Sequence, residues 1–123
     1  MKKESRRSQR VALLVREELS RLALTEAHDP ELRKVTFTDI EMPPDLKSAR
    51  VYFSCLGTQA DRDRAADALE RASGYLRREV TRRCGLRYAP ELHFLFDATL
   101  ERGARIEELL SQVRATPPSD EES

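Results

Sequence analysis

The sequence holds no tryptophan, only two cysteines and only four glycines in 123 residues. Cys55 and Cys84 lie far from any C-x-x-C spacing, which argues against a disulfide scaffold or a zinc site and makes a reducing cytoplasm the expected compartment. No run of about 18 apolar residues exists, so a membrane-spanning helix is excluded. No apolar segment follows Met1-Lys2-Lys3, so no secretory signal is expected. P-loop, G-x-G-x-x-G and G-x-S-x-G patterns are missing. His28 sits beside Asp29-Pro30, and His93 alternates with apolar Leu92 and Phe94. Neither histidine belongs to a nucleophile–base pairing or a metal spacing. An enzyme, a metal, a cofactor and a small-molecule substrate are therefore unsupported. What remains is one domain's length, 39% apolar and 36% charged residues, enough for an ordinary core under a highly charged surface.

The formal net charge is zero, but the charge is segregated. Residues 1–24 carry +4 and residues 25–70 carry −4. Residues 71–88 hold six Arg against one Glu, a net +5, and residues 89–123 carry −5. A block of that size makes a strong local potential on a neutral molecule. Of the 22 basic residues 18 are Arg, the side chain suited to bidentate phosphate contact, although a GC-rich genome gives the same bias.

Residues 1–10 form a basic N-terminal arm, a single domain spans 11–113, and an acidic tail over 114–123 is expected to be disordered. From about Ser8 the pattern becomes helical, with Val11, Val15, Leu19 and Leu22 on one face, and runs to about Leu24. Pro30 ends it. Val35 and Phe37 alternate with Thr36 and Thr38 as a strand, and the phase flips near Asp39, which predicts a bulge. After the Pro43-Pro44-Asp45 turn, Ala49, Val51, Phe53 and Cys55 mark a second strand, antiparallel to the first. Thr58-x-x-Asp61 resembles a capping box. The helix behind it packs through Ala65, Ala68, Leu69 and Ala72. Ser73-Gly74 predicts a kink or break, because glycine costs about 1 kcal/mol in a helix interior relative to alanine. Leu76, Val80 and Cys84 resume the stripe, and Gly85 stands where a C′ glycine belongs. Leu92, Phe94 and Phe96 mark a third strand. Ile106, Leu109, Leu110 and Val113 mark a last helix. The expected class is α+β: three strands with helices on one face.

Projected at 100° per residue, Ala72, Leu76, Val80 and Cys84 of residues 71–87 fall on one side. Arg71, Tyr75, Arg78 and Arg82 fall on the other within about 80° of arc, with Arg77 and Arg83 flanking the stripe. Only Glu79 dilutes the charge. Arginines of this kind fix phosphates, and Tyr75 is placed to stack on a base or pack a sugar. Five neutralised phosphates imply a slope of log affinity on log salt of about −3.5 to −4.5. Lys2, Lys3, Arg6, Arg7 and Arg10 of the arm form a second basic group.

Three stretches in order, DPELRKVTFTDIEMPPDLKSARVYFSCLG, LERASGYLRREVTRRCGLRYAPELHFLFD and ERGARIEELL, resemble the ribosome-binding factor A family from about Arg6 to about Val113. The resemblance implies a type II KH-domain fold, α-β-β-α-(kink)-α-β plus a C-terminal helix. It also implies an Ala-x-Gly kink at Ala72-Ser73-Gly74 in place of the GxxG loop with which ordinary KH domains clamp single strands. The implied function is non-catalytic ribosome biogenesis. The factor would bind the small (30S) ribosomal subunit through 16S rRNA, assist late maturation and 5′-end processing of the rRNA precursor, and support growth in the cold. Arg71, Ser73, Gly74, Arg78 and Arg82 carry over as a contact surface. The short acidic tail departs from the family's C-terminal extension. A cytoplasmic monomer is expected. The alternatives are a generic single-stranded RNA-binding KH module and a protein–protein adaptor using the tail and the sheet face.

Overall fold

The structure is a computed structural model and describes residues 4–26 and 28–98. Lys2, Lys3, the expected last helix and the acidic tail lie outside the described residues. Helix α1 (Arg6–Arg21) widens into a π turn (Leu22–Glu26), and a 3-10 turn (Pro30–Lys34) leads into the first strand. Strands β1 (Val35–Glu41) and β2 (Ser48–Cys55) precede helix α2 (Gln59–Arg83), and strand β3 (Glu91–Phe96) follows.

Helix α1 starts two residues before the position the periodicity indicates, because Ser5 and Ser8 form a reciprocal capping box. Arg6, Arg7 and Arg10, expected in a basic arm, therefore ride on its first turns, all three exposed. It also ends earlier than Leu24. Thr25 Oγ1 donates to the Arg21 carbonyl at 2.7 Å as the backbone opens into the π turn. Leu22 and Ala23 remain buried, and Leu24 is exposed.

The sheet order is β1-β2-β3, with β2 antiparallel to β1 and parallel to β3. The register of β1 slips between Phe37 and Asp39, so the expected bulge is present. It lets Phe37 and Ile40 both face inward despite their odd spacing. Val35, Phe37, Ile40, Ala49, Val51, Phe53 and Cys55 line the covered face. Val15, Leu19 and Leu22 from the first helical segment, and Ala65, Ala68, Leu69, Leu76 and Val80 from α2, pack onto them. Each fully buried Leu or Val in that layer contributes about 1.5–3 kcal/mol by leaving water. Arg50, His93 and Leu95 lie on the open face, as the alternation placed His93.

Thr58 and Asp61 cap α2 reciprocally. The carboxylate of Asp61 occupies the space a side chain at Gly57 would need, and Gly57 has φ +124, so only glycine fits that turn. At the other end Gly85 has φ +63, and Leu86 N–H donates to the Thr81 carbonyl at 2.9 Å. That is the expected Schellman closure, with Leu86 packed on the core.

Between these caps α2 is one continuous helix of 25 residues, so of the kink or break expected at Ser73-Gly74 no break is present. The cost of one glycine is outweighed by the stripe that continues through Leu69, Leu76 and Val80, all 0% exposed. Ser73 keeps its hydroxyl inside the helix, donating to the Glu70 carbonyl at 2.9 Å. With its central helix pair joined in this way, the α-β-β-α-β order over a mixed sheet is a KH-like α+β fold.

Candidate nucleic-acid interface

The anchoring of α2 decides which of its arginines are available. Its inner face is sealed by Ala65, Ala68, Leu69, Leu76 and Val80, so the helix cannot rotate without exposing the core. Arg71, Gly74, Arg78 and Arg82 are exposed on the opposite side. Acidic residues bound this patch toward the helix start, where Asp67 and Glu70 are also exposed.

The arginines then differ in what holds them. Arg71, 64% exposed, donates to Asp29 Oδ2 at 3.0 Å. Arg82, 67% exposed, pairs with Glu79 at 2.7 Å. Among the described residues no carboxylate pairs with Arg78. An exposed pair such as Arg82–Glu79 contributes about 0.2–1 kcal/mol, so a phosphate can replace Glu79 there at little cost. The backbone N–H of Glu31, and then the Arg71 guanidinium, hold Asp29 below the usual carboxylate range. Arg82 and then Arg83 do the same for Glu79.

Four of the expected contact residues have intramolecular work instead. Arg77 donates from Nε to the Pro90 carbonyl at 3.0 Å and from Nη2 to the Ala89 carbonyl at 2.9 Å, fastening α2 to the approach of β3. Arg83 is only 20% exposed and lies between Glu79 at 3.3 Å and Glu18 at 3.7 Å, joining the two helices. Tyr75 is half-buried against the core rather than free to stack. Ser73 is turned back on its own helix. A helical wheel cannot foresee the grip of Arg77, the reach of Arg83 to Glu18 or the packing of Tyr75, since each depends on which element passes beside the helix.

The basic residues of α1 are not brought to the same place. The Arg83–Glu18 contact marks where the helices meet. Arg10 lies about 12 Å further back along α1 at 1.5 Å per residue. Arg6, Arg7 and Arg10 therefore form a separate group.

Two features escaped the sequence reading. Asp29 sits 42 residues from Arg71, and no local pattern joins them. Arg64 continues the ridge seven residues before Arg71, a spacing that was legible, but it is paired with Asp61 and neighbours the acidic half of the helix. Among the described residues no cluster of His, Cys, Asp and Glu could hold a metal, and no helix is long and apolar enough to cross a membrane. Cys84 is held above the usual thiol range, first by burial and then by Glu18, which disfavours the reactive thiolate.

A family model described as ribosome-binding factor A matches residues 7–110. The ribosome-binding factor A of Aromatoleum aromaticum is 44% identical over 113 residues, covering 92% of this chain and 89% of that one. The protein of that name from Halothermothrix orenii is 38% identical over 116 residues, covering 94% and 95%. Among solved structures, ribosome-binding factor A from Thermus thermophilus superposes with a TM-score of 0.62 at 24% identity, covering 72% of this chain and 93% of that one, a likeness of fold. A candidate ribosome binding factor A from Thermotoga maritima superposes with a TM-score of 0.56 at 35% identity, covering 68% and 84%.

Proposed function

The chain belongs to the ribosome-binding factor A family, and from that premise we propose that it binds the small ribosomal subunit through 16S rRNA by the outward side of α2. In this reading it assists late maturation and 5′-end processing of the rRNA precursor as a cytoplasmic monomer. The family is one of ribosome assembly factors and not of enzymes, so the residues of the site act by binding alone.

The observation that carries the reading is the pairing of a rigid inner face with a basic outer one. Leu69, Leu76 and Val80 fix the helix, and Arg71, Arg78 and Arg82 face outward from it. A domain of this kind acts by holding one rRNA conformation in preference to another, and its only lever is the difference in affinity between the two. About 3 kcal/mol of difference shifts the populations more than a hundredfold. A loop clamp of the ordinary KH type has no place in it, because α2 passes unbroken through Ser73-Gly74.

Sedimentation with purified ribosomal subunits across a salt series tests the proposal. Arg78 and Arg82 give two phosphate contacts on the α2 face, hence a slope of about −1.4 to −1.8. Binding to small subunits should then weaken about tenfold between 50 and 200 mM salt, by the same relation. Large subunits should not carry the protein down. Equal binding to both subunits, or binding indifferent to salt, would overturn the proposal.

A further inference from the structure

The exposed arginines of α2 differ in the charge that already accompanies them. Arg71 donates from Nη2 to Asp29 Oδ2 at 3.0 Å. The other oxygen of that carboxylate accepts from the Glu31 N–H at 3.0 Å. Asp29 is thus the N-cap of the 3-10 turn, and that turn fixes its place whether or not Arg71 is present. Arg82 differs, because its partner Glu79 is shared with Arg83, and the network runs on through Glu18 to Arg21, three arginines against two glutamates, a positive group. Arg78 has no carboxylate partner among the described residues.

Arg71 with Asp29 is therefore a neutral pair held by the fold. A phosphate arriving there would lie beside a carboxylate that its capping bond holds in place, and would displace no condensed counterion on account of Arg71. An uncharged acceptor meets no such opposition. A guanidinium has five N–H donors, and the contact with Asp29 uses one of them while orienting the rest. Arginine hydrogen-bonds acceptors on base edges, and ribose hydroxyls accept as well.

Resting on the RNA-binding reading above, we infer that the Arg71–Asp29 couple reads an uncharged acceptor of the RNA, on a base edge or a ribose hydroxyl, while Arg78 and Arg82 take phosphates. Asp29 is a positioning residue: it aims Arg71 and keeps it from serving as one more phosphate contact.

The test is binding of the full chain to purified small subunits over a salt series, with circular dichroism confirming that each variant is folded. Arg78→Ala should reduce the steepness of the slope by about 0.7–0.9. Arg71→Ala should weaken binding about tenfold with the slope unchanged. Asp29→Asn keeps the cap, since asparagine caps as well as aspartate. It releases Arg71 to phosphate, so the slope should steepen and heparin should compete better. Competition with homopolymers separates the two acceptors. For a ribose hydroxyl, Arg71→Ala erases the preference for poly(U) over poly(dU). For a base edge, it erases differences among RNA homopolymers and leaves that preference intact. If Arg71→Ala flattens the slope as Arg78→Ala does, or alters neither preference, Arg71 is not the reader inferred here. If Asp29→Asn changes neither slope nor heparin sensitivity, Asp29 has no positioning role. The charge reversal Arg78→Glu with Arg82→Glu separates the two levels. Binding that survives it removes the α2 face altogether, whereas binding lost there with a flattened slope in Arg71→Ala removes only this inference.

Discussion

Arg77 and Arg78 are consecutive residues on one helix, yet one guanidinium grips two carbonyls of its own chain and the other faces solvent without a carboxylate partner among the described residues. The difference comes from what passes nearby, since the backbone before β3 runs under Arg77 and no described carboxylate reaches Arg78. Substitution should separate them. Arg77→Ala should cost about 1 kcal/mol of stability, the net value of hydrogen bonds at a partly exposed site, and Arg78→Ala should stay within about 0.5 kcal/mol of wild type. Urea unfolding of the two variants measures both. At the same scale, the raised thiol of Cys84 predicts that alkylation by iodoacetamide at pH 8 is slower than for an exposed cysteine in a peptide of the same local sequence. None of these pairings was legible beforehand. Residue type and spacing gave the direction in which each arginine leaves the helix. Its partner depends on segments as distant as Asp29.

Elements were legible to the degree that local chemistry sets them. The Thr58–Asp61 box, the Gly85 closure and the slipped register after Phe37 were each readable from a few neighbouring residues. The helix does not break at Ser73-Gly74, because propensity is a small term beside the burial of Leu69 and Leu76 on either side of it. A side chain at Gly74 would meet only Arg78 Nη1 at 3.7 Å, an ordinary contact. Gly74→Ala should therefore stabilise the protein by about 0.5–1 kcal/mol, measured by urea unfolding. If RNA approaches the helix backbone closely there, the same variant should bind small subunits less well while being the more stable protein.

For the whole molecule, zero net charge conceals a division of labour among like-charged segments. The block at 71–88 reads as +5 in sequence, but Arg77 and Arg83 are engaged internally, and Arg71 is neutralised by a carboxylate from another block. The effective phosphate-binding charge of α2 is smaller than the count implied and lies on Arg78 and Arg82, while the sixth arginine of the block, Arg87, stands exposed beyond the helix end beside Tyr88. The same pairings govern the response to acid. Asp29, Asp61 and Glu79 all have carboxyls held below their ordinary range. Their folded-state pKa values lie under the unfolded ones, so the stability they add is fully present at neutral pH and is lost as the pH falls through the folded values. Their share of the urea midpoint should be flat between about pH 5 and 8 and decline below about pH 4. Glu79→Gln should remove part of that decline.

All of this rests on arginines whose helix is fixed by its buried side, and reversing their charge tests it most directly. The full chain carrying Arg78→Glu and Arg82→Glu, shown native by circular dichroism, is sedimented with purified small subunits at low salt. We expect the variant to remain in the supernatant while the wild-type chain pellets. A folded variant that pellets as the wild type does would contradict the account.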